Sequence, residues 1–166
     1  MATVILFAEY PLHGVTVRSP EEGDLEYLVA NLRQADVQEV EAYGGTVAES
    51  LAEGLAPGRS TYVVTLDDEP VVVFGVGPDP SQMDVGVIWL LGTDKMRSIS
   101  RLFIRESKTW LKDLGEPYDL LHNLTDARNK LHHRWLKWCG FTFGPLKKIG
   151  PQKLPFYPIY KRTDLV

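Results

Sequence analysis

Asn129-Lys130-Leu131-His132-His133-Arg134-Trp135-Leu136-Lys137-Trp138-Cys139-Gly140-Phe141 is the stretch on which the fold turns. An asparagine side chain accepts a hydrogen bond from the free N–H groups of a first helical turn, and a glycine takes the left-handed backbone that ends a helix. The spacing therefore predicts a helix from Asn129 to Cys139, with Leu131, Trp135, Trp138 and Cys139 together on a core-facing side. Phe141 then opens a strand to Leu146. A capped helix joined to a strand belongs to an α/β protein, so the flanking elements decide which one.

Upstream, Leu120 to Leu124 reads as a strand, and Gly92-Thr93-Asp94 opens a helix to about Leu114 with Met96, Ile99, Phe103, Trp110 and Leu114 on one face. Before that helix, Val85 to Leu91 is almost continuously apolar, as a central strand covered on both faces should be. Thr61 to Leu66 and Val71 to Val76 form a hairpin around Asp67-Asp68-Glu69-Pro70, followed by a loop from Gly77 to Asp84. Nearer the start, Val15 to Arg18 is a short strand, and Ser19-Pro20-Glu21-Glu22 predicts a helix with Ser19 as N-cap, carried on by Leu25, Leu28, Val29 and Leu32. Asp36 with Glu39, and Thr46 with Glu49, repeat the cap pattern, with Gly44-Gly45 as a stop between them. Downstream, Pro155 to Lys161 is a last strand, and Pro151, Pro155 and Pro158 favour a sheet edge.

At 166 residues, 44% apolar and 24% charged, the chain is expected to be one domain, 1–166, with a packed core. Its lone cysteine, Cys139, excludes an internal disulfide and points to a reducing compartment. Val4 to Ala8 is apolar but lacks the flanking bases of an export signal, and no run reaches the roughly 20 apolar residues of a membrane span. Charge is divided unevenly: 15 acids face 3 bases up to Asp84, and 7 acids face 15 bases after it. Such a division suits an anionic ligand at the basic half, or two halves that attract each other.

The element order resembles that of the GNAT N-acetyltransferases over nearly the whole chain. Many of these proteins carry an asparagine followed eleven residues later by Gly-Phe, the spacing kept by Asn129 and Gly140-Phe141. The resemblance implies a twisted, mostly antiparallel sheet of about six or seven strands with helices on both faces. It also implies an acetyl-CoA site at Leu91, Gly92 and Thr93, whose amides would cradle the diphosphate, with Arg97 nearby and Asn129 at the head of the last helix. Two departures stand beside it. The family's Gln/Arg-x-x-Gly-x-Gly/Ala loop is here Leu91-Gly92-Thr93-Asp94-Lys95-Met96, with Asp94 among the phosphates or serving as N-cap. Leu136 stands where the tyrosine general acid would be. Glu39, Glu41 and Asp84 are candidates for a general base, and no catalytic residue can be selected among them.

Arg97, Arg101, Arg105 and Lys108 recur along one side of a helix, as a phosphate clamp or as a solvated face. Arg128 to Trp138 interleaves bases and aromatics in a pattern that suits nucleic acid, but the chain is acidic overall and nucleic acid is not expected as a partner. His132 and His133 are adjacent and so on different faces, and no metal site is expected. Cys139 reads as a small core residue rather than a nucleophile.

Narrower wording, in Asn31 to Val37, Phe74-Gly75-Val76, Trp89 to Thr93 and Arg128 to Phe141, is similar to the internal virion protein A family of short-tailed bacteriophages of the T-seven kind. That resemblance implies a virion-associated protein with a degenerate acetyl-CoA site, other phage virion proteins as partners, and a place in the virion or the host cytoplasm. The alternative is an active acetyl-CoA-dependent N-acyltransferase acting on a host or phage amine. A third reading, a polyanion-binding module, rests on the basic stripe.

Overall fold

Asp67 and Asp68 both take left-handed backbone, with φ of 49° and 67°. A two-residue hairpin loop needs that conformation, and the pair turns β3 (Ser60–Leu66) back into β4 (Glu69–Asp79). The structure is a computed structural model that describes residues 8–10 and 13–165. Of the apolar start, Val4 to Phe7 lies outside the described residues. β1 (Ala8–Tyr10) and β2 (Val15–Arg18) precede the hairpin, and β5 (Gln82–Gly92) comes after it. The expected loop from Gly77 to Asp84 is instead mostly strand. The Asp79 carboxylate accepts bonds from the Ser81 amide and hydroxyl at 2.8 and 2.6 Å, closing a tight turn that lets both strands run on.

Among the described residues the sheet holds nine strands in the order β1-β2-β3-β4-β5-β6-β9-β7, with β8 also on β9. β6 is Leu120–Asp126, β7 Thr142–Phe143, β8 Lys147–Ile149 and β9 Leu154–Arg162. All neighbours run antiparallel except β5 and β6. Two strands exceed the expected six or seven: β1, and β8, because the run expected from Phe141 to Leu146 keeps only Thr142–Phe143 as strand and pairing resumes past its end at Lys147–Ile149, leaving two short pieces. The last strand is also not an edge, since β9 lies between β6 and those pieces. Pro158 falls in the gap between them, where Gly144 donates to its carbonyl at 2.7 Å and no partner asks for its missing N–H.

Alternation along the strands assigns the two faces. Val63 and Val73 pack with Leu28, Val47 and Leu51 under α1 (Asp24–Asn31), α2 (Gln34–Glu41) and α3 (Val47–Gly54). Val64, Val72, Phe74 and Ile88 pack with Phe103, Trp110 and Leu136 under α4 (Ser100–Gly115) and α5 (Lys130–Trp138). α3 begins with the expected Thr46–Glu49 capping box, and α5 with the Asn129 side chain accepting from the His132 amide at 3.4 Å; Gly140 comes after α5 at φ 91°.

Three local expectations are corrected. α1 starts at Asp24 rather than Pro20, because Arg18 grips the Asp24 carboxylate at 2.8 and 2.9 Å while the Glu21 amide donates to it at 2.7 Å, locking residues 20–23 in a turn. Leu131 and Trp138 are 59% and 52% exposed, because α5 packs through Leu136 and Cys139. Trp138 instead lies under the Lys108 ammonium, 4.0 Å from the ring centroid. The helix after β5 opens as a tighter 3-10 segment, Asp94–Ile99, before α4.

Two residues make local predictions. A Cβ on Gly86 would lie 2.8 Å from the Tyr118 ring and 2.9 Å from Leu121. Gly86→Val is therefore expected to destabilise the protein by about 1–3 kcal/mol through overpacking, read as a lowered urea midpoint; an unmoved midpoint would show that Tyr118 swings aside freely. Cys139 is 1% exposed, and burial pushes its thiol up. The native protein should resist a maleimide at neutral pH and take up one equivalent only in strong denaturant; fast native labelling would contradict this packing.

Candidate active site

β5 and β6 pair only over Val85–Val87 and Leu120–His122. Beyond that they part, although β5 continues to Gly92 and β6 to Asp126. Asn123 spans the start of the gap, its amide donating to the Ile88 carbonyl at 2.5 Å. The parting opens a cavity of about 510 Å³, within the usual range for small-molecule sites. Glu39, Tyr43 and Trp89 line it on the α1–α3 side; Trp110, His132 and Leu136 line it on the α4–α5 side. Since both faces contribute, the cavity passes through the sheet. The apolar run of β5 is thereby explained more fully: Trp89, Leu90 and Leu91 stay only half-buried in a central strand because they wall this space.

α2 lies across the open end of the V. Asp36 accepts the Gly92 amide at 2.7 Å, at the tip of β5, and Glu39 accepts the Asp126 amide at 3.1 Å, at the tip of β6. Spacing i, i+3 places both carboxylates on one helix face. Asp36 is 2% exposed and held by Arg33 at 2.8 and 3.2 Å; burial still raises its pKa, against the pull of Arg33. Glu39 has no ion-pair partner among the described residues. Burial pushes it up to about 7, a rise moderated by the Asp126 amide and by the Asn129 amide 3.5 Å away. The geometry thus sets a half-buried carboxylate, its pKa raised by burial, at the cavity wall.

The base candidates are thus separated by location: Glu39 lines the cavity, whereas Glu41 and Asp84 are exposed. Leu91 lines the cavity. Gly92 and Thr93 do not present free amides. The first donates to Asp36, the second to the Val71 carbonyl at 2.8 Å, and the Gly92 carbonyl accepts from Arg33 at 2.9 Å. Met96 closes the remaining space, since a Cβ on Gly92 would fall 2.0 Å from its sulfur. Arg97 is exposed and has no ion-pair partner among the described residues. Asn129 caps α5 and faces Glu39.

Leu136, 2% exposed, lines the cavity where a proton donor would stand. Tyr43 also lines the cavity, 46% exposed overall, with its pKa raised by burial of the hydroxyl and by the Glu39 charge. His132 is driven down to about 3 by burial and is neutral, stacked on Trp135 with centroids 5.5 Å apart. Four buried polar atoms of cavity-lining residues lack any partner: Trp110 Nε1, Trp135 Nε1, Thr125 Oγ1 and His132 Nδ1. Such groups are normally satisfied, and these four belong to residues of the cavity wall while being themselves covered from solvent. Sequence reasoning missed Asp36, Asn123 and these four; the i, i+3 pairing of Asp36 with Glu39 was its one visible signal.

No protein-family profile and no curated protein matches the sequence. Solved structures do match in shape. The chain is similar to yncA of Salmonella typhimurium, solved with its cofactor acetyl-CoA, at a TM-score of 0.69 and 13% identity over 91% of this chain and 95% of that one. It is similar to the ribosomal-protein-S18-alanine N-acetyltransferase of Escherichia coli at 0.61 and 12%, over 90% and 94% of the two chains. Ard1 of Thermoplasma volcanium gives 0.65 and 14%, over 90% and 97%. Likeness at such low identity establishes architecture, and with the splayed β5 and β6 it shows that this chain has the GNAT acetyltransferase fold.

Proposed function

We propose that this protein transfers an acyl group from a pantetheine thioester to an amine, with Glu39 as general base. The observation that carries the reading is a cavity passing between β5 and β6 with Glu39, pushed up to about 7, on its wall. A thioester arm lying in the cleft would meet its amine near Glu39. The amine nitrogen attacks the carbonyl carbon, the C–N bond forms, the C–S bond breaks and the amine proton passes to Glu39. The sulfur leaves as thiolate. Because a thiol is a stronger acid than an alkylamine, by about 2 pKa units, the thiolate can depart without the donor that Leu136 fails to supply. Alignment of the two reactants supplies much of the rate.

Calorimetry with acetyl-CoA tests the reading. Binding at millimolar ligand is expected; no heat from acetyl-CoA or from any other pantetheine thioester sinks it. A second reading, a protein that keeps the fold for binding alone, draws on the filled space around Gly92 and on Leu136, while its place in a virion rests on the sequence resemblance alone. Proteomics of gradient-purified phage particles tests that one, and absence of the chain from them removes its support.

A further inference from the structure

We infer that the acyl donor is a pantetheine thioester carried on an acidic protein rather than on a nucleotide; this rests on the acyl-transfer reading above. Coenzyme A and carrier proteins present the same arm and differ in the group that bears it: a nucleotide diphosphate in one, a folded protein in the other. The cavity suits the shared part. The pantetheine arm is a slender chain, and the cleft where β5 and β6 part encloses about 510 Å³.

Three of the five amides from Gly92 to Met96, where the diphosphate would sit, are already taken. A free amide cradle at the start of a helix would be needed. Here the Gly92 amide is held by the Asp36 carboxylate, the Thr93 amide by the Val71 carbonyl and the Met96 amide by the Thr93 carbonyl at 3.1 Å. A diphosphate brought to this loop would also face the buried Asp36 charge and the Met96 side chain.

The surroundings of the cleft suit a protein. α4 and α5 leave from the tips of β5 and β6, so their outer faces flank the mouth. α4 and α5 expose Arg101, Lys130 and Arg134, and the 3-10 segment before α4 exposes Arg97, none with an ion-pair partner among the described residues, against Asp94, Glu106 and Asp113 as the acids of residues 94–115. Exposed Ile104, Leu131 and Trp138, at 45%, 59% and 52%, lie on the same two helices. Bases interleaved with large apolar side chains form a surface complementary to an acidic protein with an apolar patch. The chemistry is unchanged: amine plus acyl-S-carrier gives amide plus HS-carrier, the amine proton leaving through Glu39.

The experiment compares three probes on the full chain by calorimetry: acetyl-pantetheine, acetyl-CoA and an acetylated bacterial acyl carrier protein. Acetyl-CoA should bind within about threefold of acetyl-pantetheine, because its diphosphate adds nothing. The carrier protein should bind at least tenfold tighter, and that gain should disappear at high salt and in Arg101→Glu/Arg134→Glu. Acetyl-CoA binding tenfold tighter than acetyl-pantetheine, or a carrier no tighter than the free arm, overturns the inference and leaves acyl transfer standing. If none of the three binds, acyl transfer itself falls. A single-stranded oligonucleotide outcompeting the carrier would assign the basic face to nucleic acid instead.

Discussion

Replacing Glu39 by glutamine should raise the melting temperature at pH 8 while removing most of the acyl-transfer activity. Glutamine keeps an oxygen to accept the Asp126 amide but carries no charge. In the folded protein burial pushes Glu39 from 4.5 to about 7, so the group binds its proton more tightly folded than unfolded. The stability Glu39 contributes is therefore full below about pH 4.5 and is lost as pH rises through about 7. At pH 8 the ionised carboxylate lowers stability by roughly 3 kcal/mol, from about 1.4 kcal/mol per pH unit. The variant avoids that penalty and should melt higher by on the order of 5–10 °C at pH 8. The two proteins should converge below pH 5. Activity of the parent should rise with pH through about 7, and the variant should lose about 10²–10⁴-fold. A variant no more stable at pH 8, yet just as inactive, would mean that the carboxylate is better solvated than its position indicates. A variant that is stabilised and fully active would remove Glu39 from the mechanism. Gain in stability with loss of activity is the pattern of a site that retains a strained charge for function.

Asp36→Ala should be the most damaging single change near the cleft. The carboxylate is 2% exposed, paired with Arg33 and bonded to the Gly92 amide, so truncation strands a half-buried guanidinium and leaves a buried N–H without an acceptor. Breaking one partner of a buried ion pair costs about 3–5 kcal/mol, a large part of a domain's usual stability of about 5–15 kcal/mol. Urea denaturation measures it directly. Arg33→Met combined with Asp36→Ala should lose less than the sum of the single changes, since the uncompensated charge is gone. A loss under about 1 kcal/mol for Asp36→Ala would show that water reaches the site and that α2 is not anchored to β5 through this carboxylate.

The two changes act on one element. α2 is tied to the tip of each separated strand by one carboxylate, so Asp36 sets where the helix lies and Glu39 is thereby held at the cavity wall. The first carboxylate is compensated by a cation and structural; the second has no ion-pair partner among the described residues and is left free to titrate.

Much of this was legible in the chain itself. The Thr46–Glu49 capping box, the Asn129 cap with Gly140 after it, the Asp67-Asp68 turn and the apolar run of β5 are local matters, settled by backbone dihedrals and by hydrogen bonds across three or four residues. Together they determined the order of elements and so the architecture. What the tertiary structure decided lies at long range. Asp36 looked like an N-cap but meets Gly92, 56 positions away, and Glu39 meets Asp126, 87 away. Leu131 and Trp138 looked like core, and only the packing of α5 through Leu136 and Cys139 put them outside. Periodicity reports which residues share a face of one element. Which amide a carboxylate reaches, and whether Gly92 is open or covered, depends on how distant elements close on one another, and that closure made the cleft between β5 and β6.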